Sequence, residues 1–186
     1  TRIRLSSIEP GEVSDEIVAL LGRGLCRHLH IPLQSGDDGV LRAMNRRYTA
    51  DEYRRRVESL AKEVPGIAIG ADVMVGFPGE GEREFSNTRR LIEELPITHL
   101  HVFSYSPRPG TPAALMDRQV PESDKISRNE MLRMLGVKKN LEFRRGQSGN
   151  RLSVIIEGSS PGKGTTGLTD NYIRVTLPHA DQSQKG

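Results

Sequence analysis

Short β-branched runs alternate with amphipathic stretches through residue 115 of this chain. Arg2 to Ser6 reads as a strand, and Ser14 caps a helix with Ile17, Val18, Leu20 and Leu21 on one face. His28 to Leu33 is the next strand. Thr49 and Glu52 form a capping-box pattern that opens a helix through Tyr53, Val57 and Leu60. Ile67 to Val75 is nearly continuous in apolar residues, as a strand buried on both faces would be. Glu82 to Leu95 follows as a helix with Phe85, Leu91, Ile92 and Leu95 inward, and Leu100 to Tyr105 is a fourth strand. Strands separated by helices, with no hairpin signals, predict βαβ units and a parallel sheet. Four strands are too few to close a barrel.

The pattern then changes. Pro107 to Pro121 is proline-rich, and a helix is expected from about Glu122 to Arg145, with Ile126, Met131, Leu132, Leu135 and Leu141 facing the core and Gly136 weakening its middle. Arg151 to Glu157 alternates like a strand, Gly158 to Gly167 reads as a flexible turn, and Asn171 to Leu177 as a second strand. A domain boundary is therefore expected near residue 148, giving an α/β unit over 1–148, a small antiparallel β unit over 149–178, and a disordered tail over 179–186.

Ligands of α/β sheets gather where strands exit into loops. The first strand exits into Ser6-Ser7-Ile8-Glu9-Pro10 and the second into Gln34-Ser35-Gly36. The third exits into Gly76-Phe77-Pro78-Gly79-Glu80, and the fourth into Tyr105-Ser106-Pro107-Arg108-Pro109-Gly110. Glycine permits close backbone approach to a ligand, and four such loops in register are a stronger signal than any one. Arg46, after a short helix, could reach back to this face and meet a carboxylate or phosphate. Two His-x-His pairs, His28/His30 and His99/His101, each share a strand face. Both lie at the N-terminal ends of their strands, away from the exits, with no evident further ligands, so no metal site is assigned to them.

Composition adds limits. The chain has 186 residues, 35% hydrophobic, without Trp, and no apolar run approaches a bilayer span. Thr1 leads directly into strand-like sequence, with nothing resembling a signal peptide, so a cytoplasmic location is expected. The single cysteine, Cys26, allows no internal disulfide, and alone it cannot hold a zinc ribbon or iron–sulfur cluster. The absence of an initiator Met and the abrupt start inside an element suggest a fragment. Residues 1–115 hold 15 Lys and Arg against 16 Asp and Glu, and residues 116–186 hold 12 against 8. The basic excess is C-terminal, a weak hint of a polyanionic partner.

The strand exits resemble a known family. His28-Leu29-His30-Ile31-Pro32-Leu33-Gln34-Ser35-Gly36 with Met44 to Thr49 is similar to the fourth barrel strand of radical S-adenosylmethionine (SAM) methylthiotransferases. Asp72 to Glu80 resembles their fifth-strand motif, and Phe103 to Ala113 their sixth. Leu168 to Val175 resembles the start of the RNA-binding TRAM domain that ends these enzymes. Arg2 to Pro10 is most similar to the branch acting on threonylcarbamoyladenosine in tRNA. The resemblance implies an α/β fold: a partial parallel (β/α) barrel of the radical SAM type, then a partial TRAM-like β segment. It also implies insertion of a methylthio group at C2 of the modified adenosine beside the anticodon. SAM and two 4Fe–4S clusters would serve this chemistry, with tRNA as the partner. By carry-over, Gln34 and Ser35 approach the SAM ribose or methionyl part, with Ser7 and Glu9 beside them. Gly76, Phe77, Pro78, Gly79 and Glu80 form the wall against the adenine, and Arg46 and Tyr105 complete the cofactor set. The family's Cys-x-x-x-Cys-x-x-Cys motif is absent from this chain, as are its other cluster cysteines. No catalytic residue is assigned, and no turnover is expected from this polypeptide alone.

A rival reading is an RNA-binding module on an α/β scaffold, contacting phosphates through Arg144, Arg145, Arg151, Lys163 and Arg174. A phosphate-binding barrel hydrolase would need acidic or histidine ligands at the exits. Only Glu9, Glu80 and Asp37 or Asp38 are carboxylates there, which is not a ligand set.

Overall fold

The computed structural model describes residues 2–160 and 164–177. Its first layer is a parallel sheet of β1 (His28–His30), β2 (Ala68–Val75) and β3 (His99–Ser104), in that spatial order. Crossing helices are α1 (Asp15–Leu20), α2 (Asp38–Ala43), α3 (Ala50–Glu63) and α4 (Glu82–Glu94). Alternate strand residues point to the helices. Leu29, Ile31, Leu33, Ile69, Ala71, Val73 and Val75 are fully buried there with Tyr53, Phe85 and Ile92. Each large aliphatic side chain so buried contributes about 1.5–3 kcal/mol. Tyr53 is admitted to this core because its hydroxyl donates to the Ile31 carbonyl at 2.9 Å. Thr49 and Glu52 form the expected capping box at the start of α3.

Several expectations are corrected. Arg2 to Ser6 is not a regular strand: it touches the sheet through single bridges, Ile3 to Leu25 and Ser7 to His30. The segment is tied by its side chains as much as by its backbone, Arg2 to the Leu168 carbonyl and Arg4 over the Tyr172 ring. Regular β1 ends at His30, yet pairing persists as Ile31 and Leu33 donate to Gly70 and Asp72 carbonyls at 2.8 and 3.1 Å. The donor of residue 32 would point away from β2, so Pro32 sacrifices nothing toward that neighbour. In α1, Leu20 is exposed rather than inward. Strand β2 is sealed on both faces only in its first half, because Asp72 and Met74 are partly exposed.

The largest correction concerns α5 (Glu122–Gly146). Its packed seam is Lys125, Arg128, Leu132 and Gly136, whereas Ile126, Met131 and Leu141, expected in the core, are exposed. Gly136 is the contact point rather than a weakness: a Cβ there would lie 3.0 Å from Leu100 Cβ. Long aliphatic stems of Lys and Arg complete a seam that polarity alone hides. Beside it, Asn129 and Asn140 donate to the Val102 and Thr98 carbonyls at 3.4 and 3.2 Å, covering the free edge of β3.

A second sheet is antiparallel, β4 (Val154–Ser160), β5 (Gly164–Thr169) and β6 (Arg174–Leu177). Three strands replace the expected two, because β5 occupies much of the segment read as a turn. Its glycine is required by packing: a Cβ on Gly167 would stand 2.3 Å from Val154 Cγ1. The strand expected from Asn171 starts later, after a tight turn in which Tyr172 has φ 68° and Thr169 Oγ1 accepts from Ile173 N. The sheets are joined by Arg27 to Asp170 at 2.7 Å, Arg2 to the Leu168 carbonyl at 2.9 Å, and Asn171 to the Gly66 carbonyl at 3.0 Å. The tail over 179–186 and Lys163 lie outside the described residues.

Candidate functional site

The four exits lie along one edge of the parallel sheet, and their side chains divide into those that hold the loops and those left free. At the first exit, Ser7 is exposed and Glu9 pairs with Arg46, Oε1 to Nη1 at 2.7 Å. Arg46 thus reaches back to this face, as expected, and meets a carboxylate. Its approach follows from Asn45 at φ 59°, which turns the chain out of α2, and from Tyr48, whose hydroxyl donates to the Pro32 carbonyl at 3.1 Å.

At the second exit, Gln34 sits at φ 61°, and its backbone bonds β2 on both sides, to the Asp72 carbonyl and from Met74 N. Its side-chain amide has no hydrogen-bond partner among the described residues. Ser35 is different. Its hydroxyl is fully buried 3.2 Å from Thr88 Oγ1, and Gly36 N donates to the same threonine at 2.9 Å. Gly36 allows this, since a Cβ would lie 2.6 Å from Thr88 Cα. Ser35 therefore anchors the loop to α4 and does not present its hydroxyl on the exit face.

Glu80 is committed in the same way at the third exit. Its Oε1 accepts from Gly76 N at 2.8 Å and from Arg128 Nη1 at 2.9 Å, with the carboxylate buried. Burial pushes its pKa up, opposed by the Gly76 amide and Arg128. Gly76 has φ 74° and lies against the Lys125 stem, where a Cβ would come within 2.3 Å. Gly76, Phe77 and Pro78 are themselves buried, so this loop stands at the exits as a packed wall of backbone and the Phe77 ring. Phe77 meets Tyr105 edge-on at 5.3 Å, and with Val40 they form a second apolar cluster at the third and fourth exits. The Tyr105 hydroxyl is buried without a hydrogen-bond partner among the described residues.

Asp37 and Asp38 are helix caps: Asp37 accepts from Gly39 N and Val40 N, and Asp38 from Ala50 N. Glu9 and Glu80 are paired as well, with Arg46 and Arg128, so each of these four carboxylates is engaged within the chain.

The unpacked face of the sheet carries the histidines. His28 is buried against Tyr172, ring centroids 4.6 Å apart, and burial pulls its pKa down to about 4, helped by Arg4 and the neighbouring histidines. His99 is held between Thr98 Oγ1 and Asn140 Nδ2, both at 2.8 Å, and burial lowers its pKa too. His30 and His101 converge on Asp72 Oδ1 at 2.9 and 3.3 Å. Asp72 entered the sequence reading only as the first residue of the Asp72–Glu80 motif, with no ligand role, because nothing local links it to the histidines. The pairing register that sets Asp72 opposite His101, with Gly70 opposite His30, supplies the missing carboxylate.

Of the basic residues, Arg144 and Arg145 end α5, exposed, Arg151 is exposed, and exposed Arg174 pairs with Glu157 at 3.3 Å. The buried pair Lys125 and Arg128 beneath the third exit was not anticipated, since charged helix residues are expected outward.

Comparison with known proteins fits this geometry. The radical SAM superfamily profile matches residues 1–92. Threonylcarbamoyladenosine tRNA methylthiotransferase MtaB of Bacillus subtilis is 42% identical over 184 residues, 95% of this chain and 40% of that protein. The first 92 residues thus match the radical SAM superfamily. The tRNA-2-methylthio-N(6)-dimethylallyladenosine synthase of Erythrobacter litoralis is 40% identical over 166 residues, 87% of this chain and 37% of that protein. The chain thus spans about 40% of the length of the curated relatives it matches. Coproporphyrinogen III oxidase of Escherichia coli, a radical SAM enzyme, superposes with a TM-score of 0.58 at 20% identity, over 74% of this chain and 32% of that one. That likeness supports the partial parallel barrel. Among the described residues, no helix is long and apolar enough to cross a membrane.

Proposed function

We propose that this chain is the later part of a tRNA-modifying radical SAM enzyme that places a methylthio group on C2 of threonylcarbamoyl-modified adenosine beside the anticodon. The observation carrying this reading is that likeness to named tRNA methylthiotransferases runs through both sheets, over 95% of the chain. Relatives of both nucleoside types match at similar identity, so the choice of nucleoside rests on the resemblance of Arg2 to Pro10. We place the division between barrel and TRAM-like unit near residue 148 and the working compartment in the cytoplasm.

The residues present fit SAM in part. Gly76–Gly79 backbone and Phe77 make an apolar wall, the free Gln34 amide can hydrogen-bond a ribose hydroxyl, and the bare Tyr105 hydroxyl is a buried group in want of a partner. Glu9 and Arg46 offer one charge of each sign to the zwitterionic end. Ser35 and Glu80 act by fixing the loops. SAM and a 4Fe–4S cluster together supply the radical chemistry when bound. The residues here do not fit the clusters, because the one cysteine, Cys26, is buried and offers a single thiol.

Expression of the complete coding sequence in a strain lacking methylthiotransferases, with mass spectrometry of tRNA nucleosides, tests the reading. Methylthiolated threonylcarbamoyladenosine is expected; methylthiolated dimethylallyladenosine alone would overturn the substrate assignment. Reconstitution of the 186-residue chain with iron and sulfide is expected to give no stoichiometric 4Fe–4S absorbance. For the RNA partner, changing Arg144, Arg145 and Arg151 together to Gln should weaken tRNA binding and flatten its salt dependence. Unaltered binding would remove them from the interface.

A further inference from the structure

We propose that His30, Asp72 and His101 form a mononuclear site for a divalent transition-metal ion on the open face of the parallel sheet. Each comes from a different one of three adjacent strands, so the register of the sheet, not a mobile loop, sets their spacing. Their donor atoms all lie within 4.8 Å of one another. Asp72 Oδ1 is 2.9 Å from His30 Nε2 and 3.3 Å from His101 Nδ1. Ligands at bond lengths of about 2.0–2.2 Å and angles between square and tetrahedral stand about 3.0–3.5 Å apart, so these separations need little change to take an ion.

Chemistry supports the same conclusion. Two imidazoles and one carboxylate carry a net charge of about −1 when the rings are neutral, and nitrogen-rich sets of this kind favour zinc, cobalt, nickel or ferrous iron over calcium or magnesium. A ring nitrogen that faces Asp72 would bind the metal, and a neutral ring then carries its proton on the other nitrogen. No proton is lost from a neutral ring. The His30 ring is seated by Gly70, where a Cβ would approach Nδ1 to 2.6 Å. Side-chain exposure of 14% and 24% at His30 and Asp72, against 64% at His101, leaves the site open on one side. Three protein ligands with an open position match a site that also accepts water or a small anionic ligand. The set is independent of cysteine and of the cofactor reading above.

The test is zinc titration of the full chain by calorimetry at pH 7.5, in a His179→Ala background that removes the histidine of the C-terminal tail. One equivalent is expected, with affinity falling at least tenfold in His101→Gln and in Asp72→Asn, and little changed in Cys26→Ser. Because His101 is exposed, His101→Gln should keep the wild-type circular dichroism, so loss of binding there is not loss of fold. Cobalt substitution should add visible d–d bands that vanish in the same variant. No saturable zinc uptake, or uptake unaltered by both substitutions, overturns the proposal and leaves a contact between two histidines and a carboxylate.

Discussion

The two faces of the parallel sheet obey different rules although they share the same three strands. Toward the helices, Leu29, Ile31, Leu33, Ile69, Ala71, Val73 and Val75 are sealed and wholly apolar. Toward the other side stand His28, His30, Asp72, His99 and His101, with Gly70, Met74 and Phe103 between them, a mixed face that is partly open except at His28 and Gly70. One face stores the free energy of folding, and the other carries groups whose burial would be costly unless paired. A single strand can do both because its side chains alternate.

That contrast is open to attack by substitution. On the sealed face, Ile69→Ala should lose about 2–5 kcal/mol of stability in urea denaturation; a loss below about 1 kcal/mol would mean the face is not close-packed. On the open face, Gly70→Ala should cost about 1–3 kcal/mol, because the new methyl must push His30 away from Asp72. The same variant should abolish zinc uptake, so an intact site would break the link between Gly70 and the cluster.

A smaller effect comes from His28. Its folded pKa of about 4 lies below the ordinary 6.5, so the unfolded chain binds the extra proton first on acidification. The stability it contributes is whole above pH 6.5 and declines as pH falls toward 4. Denaturation midpoints measured across this window should show a slope that His28→Phe reduces. Least of all should be His101→Gln in the absence of metal, within about 0.5 kcal/mol of wild type, since that ring is largely exposed.

Much of the fold was legible along the chain because period-two and helical periodicities are local. The Thr49–Glu52 cap, the α4 core face through Phe85 and Leu91, and the four exit loops follow from residue spacing and turn chemistry. Less visible were features in which one residue type serves an unusual end. Lys125 and Arg128 are buried as stems and as a partner for Glu80, while Gly136 brings α5 against β3. Helix α5 carries one apolar stripe, Ile126, Met134, Val137 and Leu141, and it stays exposed; contact with the sheet selects the seam through Lys125, Arg128, Leu132 and Gly136 instead. Likewise Gly164 and Gly167 weaken the strand signal of β5, and its threonines show as a strand only through pairing with β4 and β6.

Sequence by itself determined the order of strands and helices, the alternation of the two sheet faces, the placement of candidate ligand loops at the exits, and the resemblance to radical SAM methylthiotransferases. Tertiary structure alone decided what each polar side chain is for. It committed Ser35, Asp37, Asp38 and Glu80 to holding loops and left Gln34 and the Tyr105 hydroxyl unpaired. It also brought Asp72 between two histidines that lie 42 and 29 positions away in the chain. The physical reason is range: periodicity and turn preference act over a few residues, whereas burial and hydrogen-bond partnership depend on strand register and helix packing, which no local pattern encodes.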